Sequence, residues 1–460
     1  MGAPATRAHA LASKLYPSLI PRELVSKVLI NSASHRVMMT NGMIEHSGGS
    51  GFFHLLPLAT RALGKLMKII CEEMDGIGAQ RIQMPSLCQK PALEKSGRWD
   101  VFGNDLFRVT DRHGEEHCLA PTHEELVTQL VASRLHETSA ANSTPILLYQ
   151  MTSKFRDESN PRHGLLRCRE FLMKDMYSFD VDEEAAKRTY DMCSKAYERI
   201  FTTRLAPLKS PLMRVLSDVG AMGGSLSHEY HLENECGEDR IDFCQMCKTG
   251  VNRELVKSAD NSPTECSNCN MEMRTFRSVE LAHTFILGTK YSQAFNAHFK
   301  TQSGQKLAYM GCYGIGVTRL LAALIDSNLN QKQQLRWPLA ITPYTLCVIP
   351  PKLGSKEEKA GAMQFALDMV EALSEWDHLK GEIVLDDRTD LTVGRKLVDA
   401  KRMGYPFVVV ANKSVVQESV PKFELFDLTL DDGEDRMELV NHEHLFDRMR
   451  ELRKKVGLMF

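Results

Sequence analysis

At 460 residues the chain exceeds what one core of ordinary size encloses, so two or three folding units are expected. With 43% hydrophobic and 25% charged residues and only short apolar runs, it has no credible transmembrane helix and no membrane partner. The formal net charge of -2 supplies no bulk attraction for nucleic acid, so any such contact must come from local basic patches.

Twelve cysteines are spread along the chain and only four stand at close spacing, which favours a reducing compartment over a secreted disulfide framework. The first 22 residues carry Arg7, Lys14 and Arg22 with Ser13 and Ser18 and no acid before Glu23. An organellar transit peptide has that composition, and so does a plain basic terminus.

Apolar residues at spacings of three and four predict a long amphipathic helix over 52–74, ended by Gly76 and Gly78. A short strand then runs over 79–84 to Pro85. Residues 147–156 and 165–179 read as two strands of a hairpin around the polar turn 158–164, and 182–201 as a helix. Residues 236–272 shift to few large apolar side chains and four cysteines, a small inserted module. Residues 276–299 return to strand-like texture, and 309–326 begin glycine-rich and continue as an apolar helix. A boundary is expected near Trp337 and Pro338. Beyond it, 345–349, 361–373, 382–385, 393–402 and 407–410 alternate strand and helix as in a compact α/β domain.

Two segments carry arginines suited to chemistry. On the predicted hairpin Arg156 and Glu158 project together, as do Arg167, Arg169 and Phe171. Guanidinium forks suit phosphate oxygens, a ring offers a stacking surface for a base, and a carboxylate accepts from an amino group. A surface hairpin laced with salt bridges has the same residues. In the second segment, Gly311, Gly314 and Gly316 allow a backbone to approach closely, and Arg319 falls in the first turn of the following helix. The run lacks the Lys-Ser/Thr of a P-loop, and taken alone it is explained by strand-to-helix packing. Glu280, His283 and Phe285 read as sharing one face of a strand just upstream. Cys244-x2-Cys247 and Cys266-x2-Cys269 have the spacing of a four-thiolate zinc knuckle, the alternative being a remnant loop with free thiols.

The helix, strand and Pro85 followed by these two arginine segments resemble the three signature motifs of class II aminoacyl-tRNA synthetases. Ala120-Pro121-Thr122-His123-Glu124-Glu125, Arg169-Glu170-Phe171-Leu172-Met173-Lys174-Asp175, Gly223-Gly224-Ser225-Leu226-Ser227-His228-Glu229 and Gly288-Thr289-Lys290-Tyr291-Ser292 narrow the resemblance to prolyl-tRNA synthetases of the bacterial and mitochondrial type, over residues 50–460. The resemblance implies an α+β class II catalytic domain, an antiparallel sheet with flanking helices, followed by an α/β anticodon-binding domain. It divides the chain into an N-terminal extension 1–49, a catalytic domain 50–338 with the insert 236–272, and an anticodon-binding domain 339–460.

The resemblance further implies ATP-dependent attachment of L-proline to tRNA(Pro) through a prolyl-adenylate, with ATP and Mg2+ as reactants, zinc as a structural candidate, and a homodimer. Arg156 would grip the α-phosphate and the proline carboxylate, and Glu158 and Phe171 the adenine. Arg167 would take the outer phosphates or the acceptor end, and Arg319 the γ-phosphate. Glu280, Gly314 and Gly316 would border the nucleotide. Thr122, Glu124 and His283 would meet the amino acid, although Thr122-His123-Glu124 also reads as a helix-capping pattern. In the last domain Asp386, Asp387, Arg388 and Lys396 are the candidates for the anticodon. Many bacterial relatives carry a large editing domain after a His-Glu segment like His228-Glu229. Here only about fifty residues separate Glu229 from Glu280, too few for such a domain, so no editing in cis is expected. The short linker and the basic N-terminus point to the mitochondrial matrix, with the cytoplasm as the alternative. A catalytically silent synthetase-like nucleic-acid-binding protein would show losses at Arg156, Glu158 or Arg319, and all three are present.

Overall fold

Pro57, whose missing N–H costs nothing at a first helical position, starts helix α1 (Pro57–Gly76) five residues later than the apolar spacing suggests, after a short strand at Phe53–Leu55. The computed structural model describes residues 9–15, 32–135, 144–205, 208, 210–255, 265–302, 304–429 and 436–457. Arg7, Ser18 and Arg22 of the basic N-terminal run lie outside them. The chain divides into two units, one formed by 46–53 and 67–323, the other by 1–45, 54–66 and 324–460.

The first unit is built on a sheet of nine strands among the described residues. They are β1 (Gln80–Arg81), β2 (Ile146–Phe155), β3 (Glu170–Asp180), β4 (Met213–Leu216), β5 (Leu226–Glu233), β6 (Asp239–Cys244), β7 (Thr249–Asn252), β8 (Arg274–Gly288) and β9 (Tyr309–Gly316). Their order is β5-β4-β7-β6-β8-β9-β3-β2-β1, and β8 also pairs with β5. The central strands β2, β3, β9 and β8 are antiparallel, while β1 joins β2 in parallel. Helix α4 (Glu183–Arg199), N-capped by Asp182, and helix α3 (Glu124–Leu135) flank the sheet. Tyr177, Phe179, Phe285, Tyr291 and Met310 pack with Val127 and Leu135 of α3 in one buried cluster.

Two sequence expectations are corrected here. The hairpin of β2 and β3 is longer-looped than predicted: β3 starts at Glu170, so Arg156, Arg167 and Arg169 stand on the connecting loop and not on paired strands. The stretch 276–299 is not all strand, because β8 ends at Gly288 with a positive φ of 63° and helix α5 (Lys290–Phe295) follows. The small insert contributes β6 and β7, which extend the main sheet along β8.

In the second unit, β10 (Leu346–Ile349), β11 (Ile383–Leu385) and β12 (Phe407–Val410) are parallel, and β13 (Lys422–Asp427) and β14 (Arg436–Asn441) add antiparallel strands. Alternate residues of β10 serve two cores. Leu346 and Val348 pack against helix α7 (Ala362–Ser374), and Cys347 and Ile349 lie in the cluster of Ala400 from helix α8 (Val393–Met403). Ala10–Leu11 pairs in parallel with β11, and the Ser13 backbone N–H and hydroxyl both donate to the Asp387 carboxylate, at 2.8 and 2.6 Å.

Candidate active site

The floor of a cavity of about 320 Å3 is made by β3, β8 and β9. Gly314, which pairs with His283, and Gly316 line it, so no side chain rises from the floor there. The glycine that sterics require is Gly311, where a Cβ would stand 2.3 Å from the Tyr313 hydroxyl oxygen. Strict alternation would put Glu280 and His283 on opposite faces of β8. Tyr230 pairs with Ala282 and His231 with Glu280, leaving Leu281 as an extra residue, and this bulge returns both side chains to the cavity.

At one end of the cavity stands Glu124, fully buried at the start of α3. One carboxylate oxygen accepts from Thr122 Oγ1 at 2.9 Å and from Cys312 Sγ at 3.3 Å, and the other meets Arg98 at 2.7 Å. Thr122 therefore serves the carboxylate with its side chain, where the capping reading would have it serve the helix. Burial alone would raise the Glu124 pKa, but Arg98 outweighs it and holds the carboxyl below its ordinary range. Arg98, itself 1% exposed, also reaches Glu125 at 3.3 Å and the Tyr291 hydroxyl at 3.0 Å. It is the residue that sequence reasoning missed. Behind Thr122, the Tyr177 hydroxyl donates to Asp175 at 2.8 Å and accepts from the His123 N–H.

Arg156 lines the same cavity, directly after β2. Its guanidinium lies 5.4 Å from the centre of the Phe171 ring and has no carboxylate partner among the described residues. Arg319 is differently held: Nε donates to the Leu166 carbonyl and Nη1 to Glu280 at the carbonyl (3.0 Å) and the carboxylate (3.2 Å). It stands in the first turn of α6 (Val317–Ser327), as its sequence position suggests. Burial would raise the Glu280 pKa, but His283 and Arg319 overcome it and hold this carboxyl far below its ordinary range. His283 stacks on Phe285 with ring centres 3.9 Å apart, and its Nε2 shares a hydrogen bond with Ser227 Oγ. Glu229, Glu280 and His283 bring three donor atoms within 4.8 Å of one another.

Glu158 is engaged by Arg167, Nε to Oε2 at 2.8 Å, and so faces an arginine where an adenine contact was expected. Salt bridges thus hold the Arg167 half of the segment, while Arg156 lines the cavity.

In the insert, Cys244, Cys247, Cys266 and Cys269 bring their sulfurs within 4.8 Å of one another, with Cys244 and Cys269 3.6 Å apart. Tetrahedral Zn–S bonds of about 2.3 Å give sulfur–sulfur edges of about 3.8 Å, so the four thiols fit zinc. Each pair is followed by a left-handed residue, Lys248 or Asn270, which turns the chain around the cluster. Backbone N–H groups of Asn268 and Cys269 lower the Cys266 pKa to about 6, while the hydrogen bond with Cys269 raises that of Cys247.

In the second unit Lys396 is fully buried and its Nζ donates to the carbonyls of Pro350 and Asp386. Asp386 is 2% exposed and pairs with Arg388 at 2.6 Å, which also holds Asp399. These charges brace the 386–388 loop from inside.

Residues 107–328 match the family model described as tRNA synthetase class II core domain (G, H, P, S and T). A relative from Rattus norvegicus, named probable proline–tRNA ligase, mitochondrial, is 47% identical over 84% of this chain and 79% of its own length. One of the same name from Schizosaccharomyces pombe is 36% identical over 86% and 89%. The proline–tRNA ligase of Anaplasma phagocytophilum is 35% identical over 85% and 90%. The solved structure of Giardia lamblia prolyl-tRNA synthetase in complex with prolyl-adenylate superimposes with a TM-score of 0.72 over 96% of this chain and 82% of that one, at 17% identity, a shared fold.

Proposed function

The chain belongs to the prolyl-tRNA synthetases of class II, and from that premise we propose how its own residues perform the reaction. It is a proline–tRNA ligase that consumes ATP and passes through a prolyl-adenylate. Glu124, kept ionised by Arg98, takes the two N–H bonds of proline's secondary ammonium beside Thr122. Arg156 meets the proline carboxylate and the α-phosphate, Phe171 stacks on adenine, and Arg319 and Arg167 take the outer phosphates. Glu158 orients Arg167. Glu280 and Glu229 would offer oxygen donors to Mg2+, which when bound would supply charge neutralisation on the phosphates.

A proline carboxylate oxygen attacks the α-phosphorus while the bond to the bridging oxygen breaks, and pyrophosphate leaves with the electron pair. The attacking carboxylate is already ionised, so this step needs positioned cations and no general base. The terminal ribose hydroxyl of the tRNA then attacks the adenylate carbonyl, the bond from that carbonyl carbon to the phosphate oxygen breaks, and AMP leaves with the electron pair while the hydroxyl proton passes to the departing phosphate. The observation that carries this reading is Arg156, a cation without a carboxylate partner among the described residues, in the cavity that also holds the buried carboxylate of Glu124.

ATP–pyrophosphate exchange across the twenty amino acids tests it. Proline is expected to dominate, and a preparation with a cooperative melting transition but no proline-dependent exchange would sink the assignment. We further assign anticodon reading to the α/β unit around Asp387 and Arg388, with Asp386 and Lys396 fixing that loop, and a structural zinc ion to the four cysteines. A homodimer and residence in the mitochondrial matrix complete the proposal, the latter supported by the mitochondrial names of similar relatives.

A further inference from the structure

Beside the adenylate cavity lies a second one of about 310 Å3, bordered by Arg156, Arg167, Glu238, Glu280 and Arg319. Glu238 comes from the first turn of the cysteine insert, and its two carboxylate oxygens hold two arginines of the loop between β2 and β3. Oε1 meets Arg162 Nε at 2.5 Å, and Oε2 meets Arg167. The acid is presented from a fixed backbone. Gly237 packs so closely on β8 that a Cβ there would stand 2.2 Å from the Ser278 carbonyl oxygen, its N–H donates to Asn234, and its carbonyl accepts from Arg277. Strand β6 then begins at Asp239 and pairs with β8 at once.

One carboxylate spread across two guanidinium groups does what a phosphate does at the same place, because the planar fork fits either anion. We propose that Glu238 is a positioning residue that holds Arg162 and Arg167 as a stand-in for the outer phosphates of ATP, and yields them when the triphosphate binds. The inference rests on the assignment of this loop to ATP. The insert keeps the loop ordered between turnovers at the expense of a competing anion in the phosphate site. All three side chains are 33–43% exposed, so the exchange of partners takes place at the rim, where ion pairs are weak and readily replaced.

Pyrophosphate exchange with the full-length enzyme and its Glu238→Gln variant tests this. The variant should lower KM for ATP and for pyrophosphate by about three- to tenfold, the range that loss of exposed ion pairs allows. Its KM for proline and its kcat should stay as in the parent. Glu235→Gln, which removes the same charge three residues away, should leave both KM values unmoved. An unchanged or raised KM for ATP in Glu238→Gln, or a fall in kcat together with melting temperature, makes Glu238 a plain brace and overturns the proposal. Absence of proline-dependent exchange in the parent would instead overturn the ATP assignment itself.

Discussion

Arg98 stands between Gly97 and Trp99 with no periodicity to mark it, yet it pairs with the buried carboxylate of Glu124, which is proposed to take the ammonium of proline. Replacing it by Met leaves Glu124 and Glu125 buried without a cation, at a cost of about 3–5 kcal/mol. The thermal midpoint should drop and KM for proline should rise, and a variant that melts like its parent with normal proline binding would remove Arg98 from this role. Arg156 predicts the opposite profile. Its guanidinium has no carboxylate partner among the described residues, so Arg156→Ala should keep the parent's melting curve while exchange activity falls by about a hundred- to a thousandfold. His228 gives a pH signature. Burial, then Arg214 and His283, lower its pKa to about 4, while the unfolded value stays near the ordinary 6.5. A depressed folded value means stability that is complete above pH 6.5 and lost as pH falls towards 4. The loss is at most about 3 kcal/mol and less for the partial exposure of the ring. Denaturant titrations between pH 7 and 4 should show this slope, flattened in His228→Asn.

At the scale of elements, what could be read in the sequence is what periodicity and glycine mark. Helix α4, helix α6 and the alternation of β10, α7, β11, α8 and β12 stand within a few residues of their predicted bounds. The misses have local causes. Pairing in the loop of Arg156 to Arg169 is broken by a turn at Gly164–Leu166, which composition does not reveal. The bulge at Leu281 inverts side-chain parity, so the shared face of Glu280 and His283 rests on a backbone irregularity and not on their spacing. Strands β13 and β14 went unnoticed because charged and apolar residues mix along them. Thr122 and Glu124 were legible through the family's segment, whereas their partner Arg98 required tertiary contact. The cysteines were legible from spacing alone. Cys244→Ser should lose the bound zinc measured by elemental analysis and lower the thermal midpoint, and unchanged metal content would return the cluster to four idle thiols.

For the whole molecule, the sequence between the His228-Glu229 segment and β8 holds, among the described residues, sheet-extending strands and a thiol cluster. With no further domain there among the described residues, purified enzyme should leave alanyl-tRNA(Pro) intact, measured as release of labelled alanine. Rapid hydrolysis would reveal an editing centre elsewhere in the fold.

Strand β8 runs fifteen residues, about 50 Å, from Arg274 beside the cysteine insert to Gly288 beyond the adenylate floor. A ladder of that length tends to breathe as one cooperative unit, its weakest rung being the bulge. Removing the proposed metal should therefore quicken deuterium uptake first at Arg274–Ser278, then at Glu280 and, past the bulge, at the amide that carries His283. The floor of the reaction chamber would thus borrow its stillness from the rim of the sheet where the sulfurs gather.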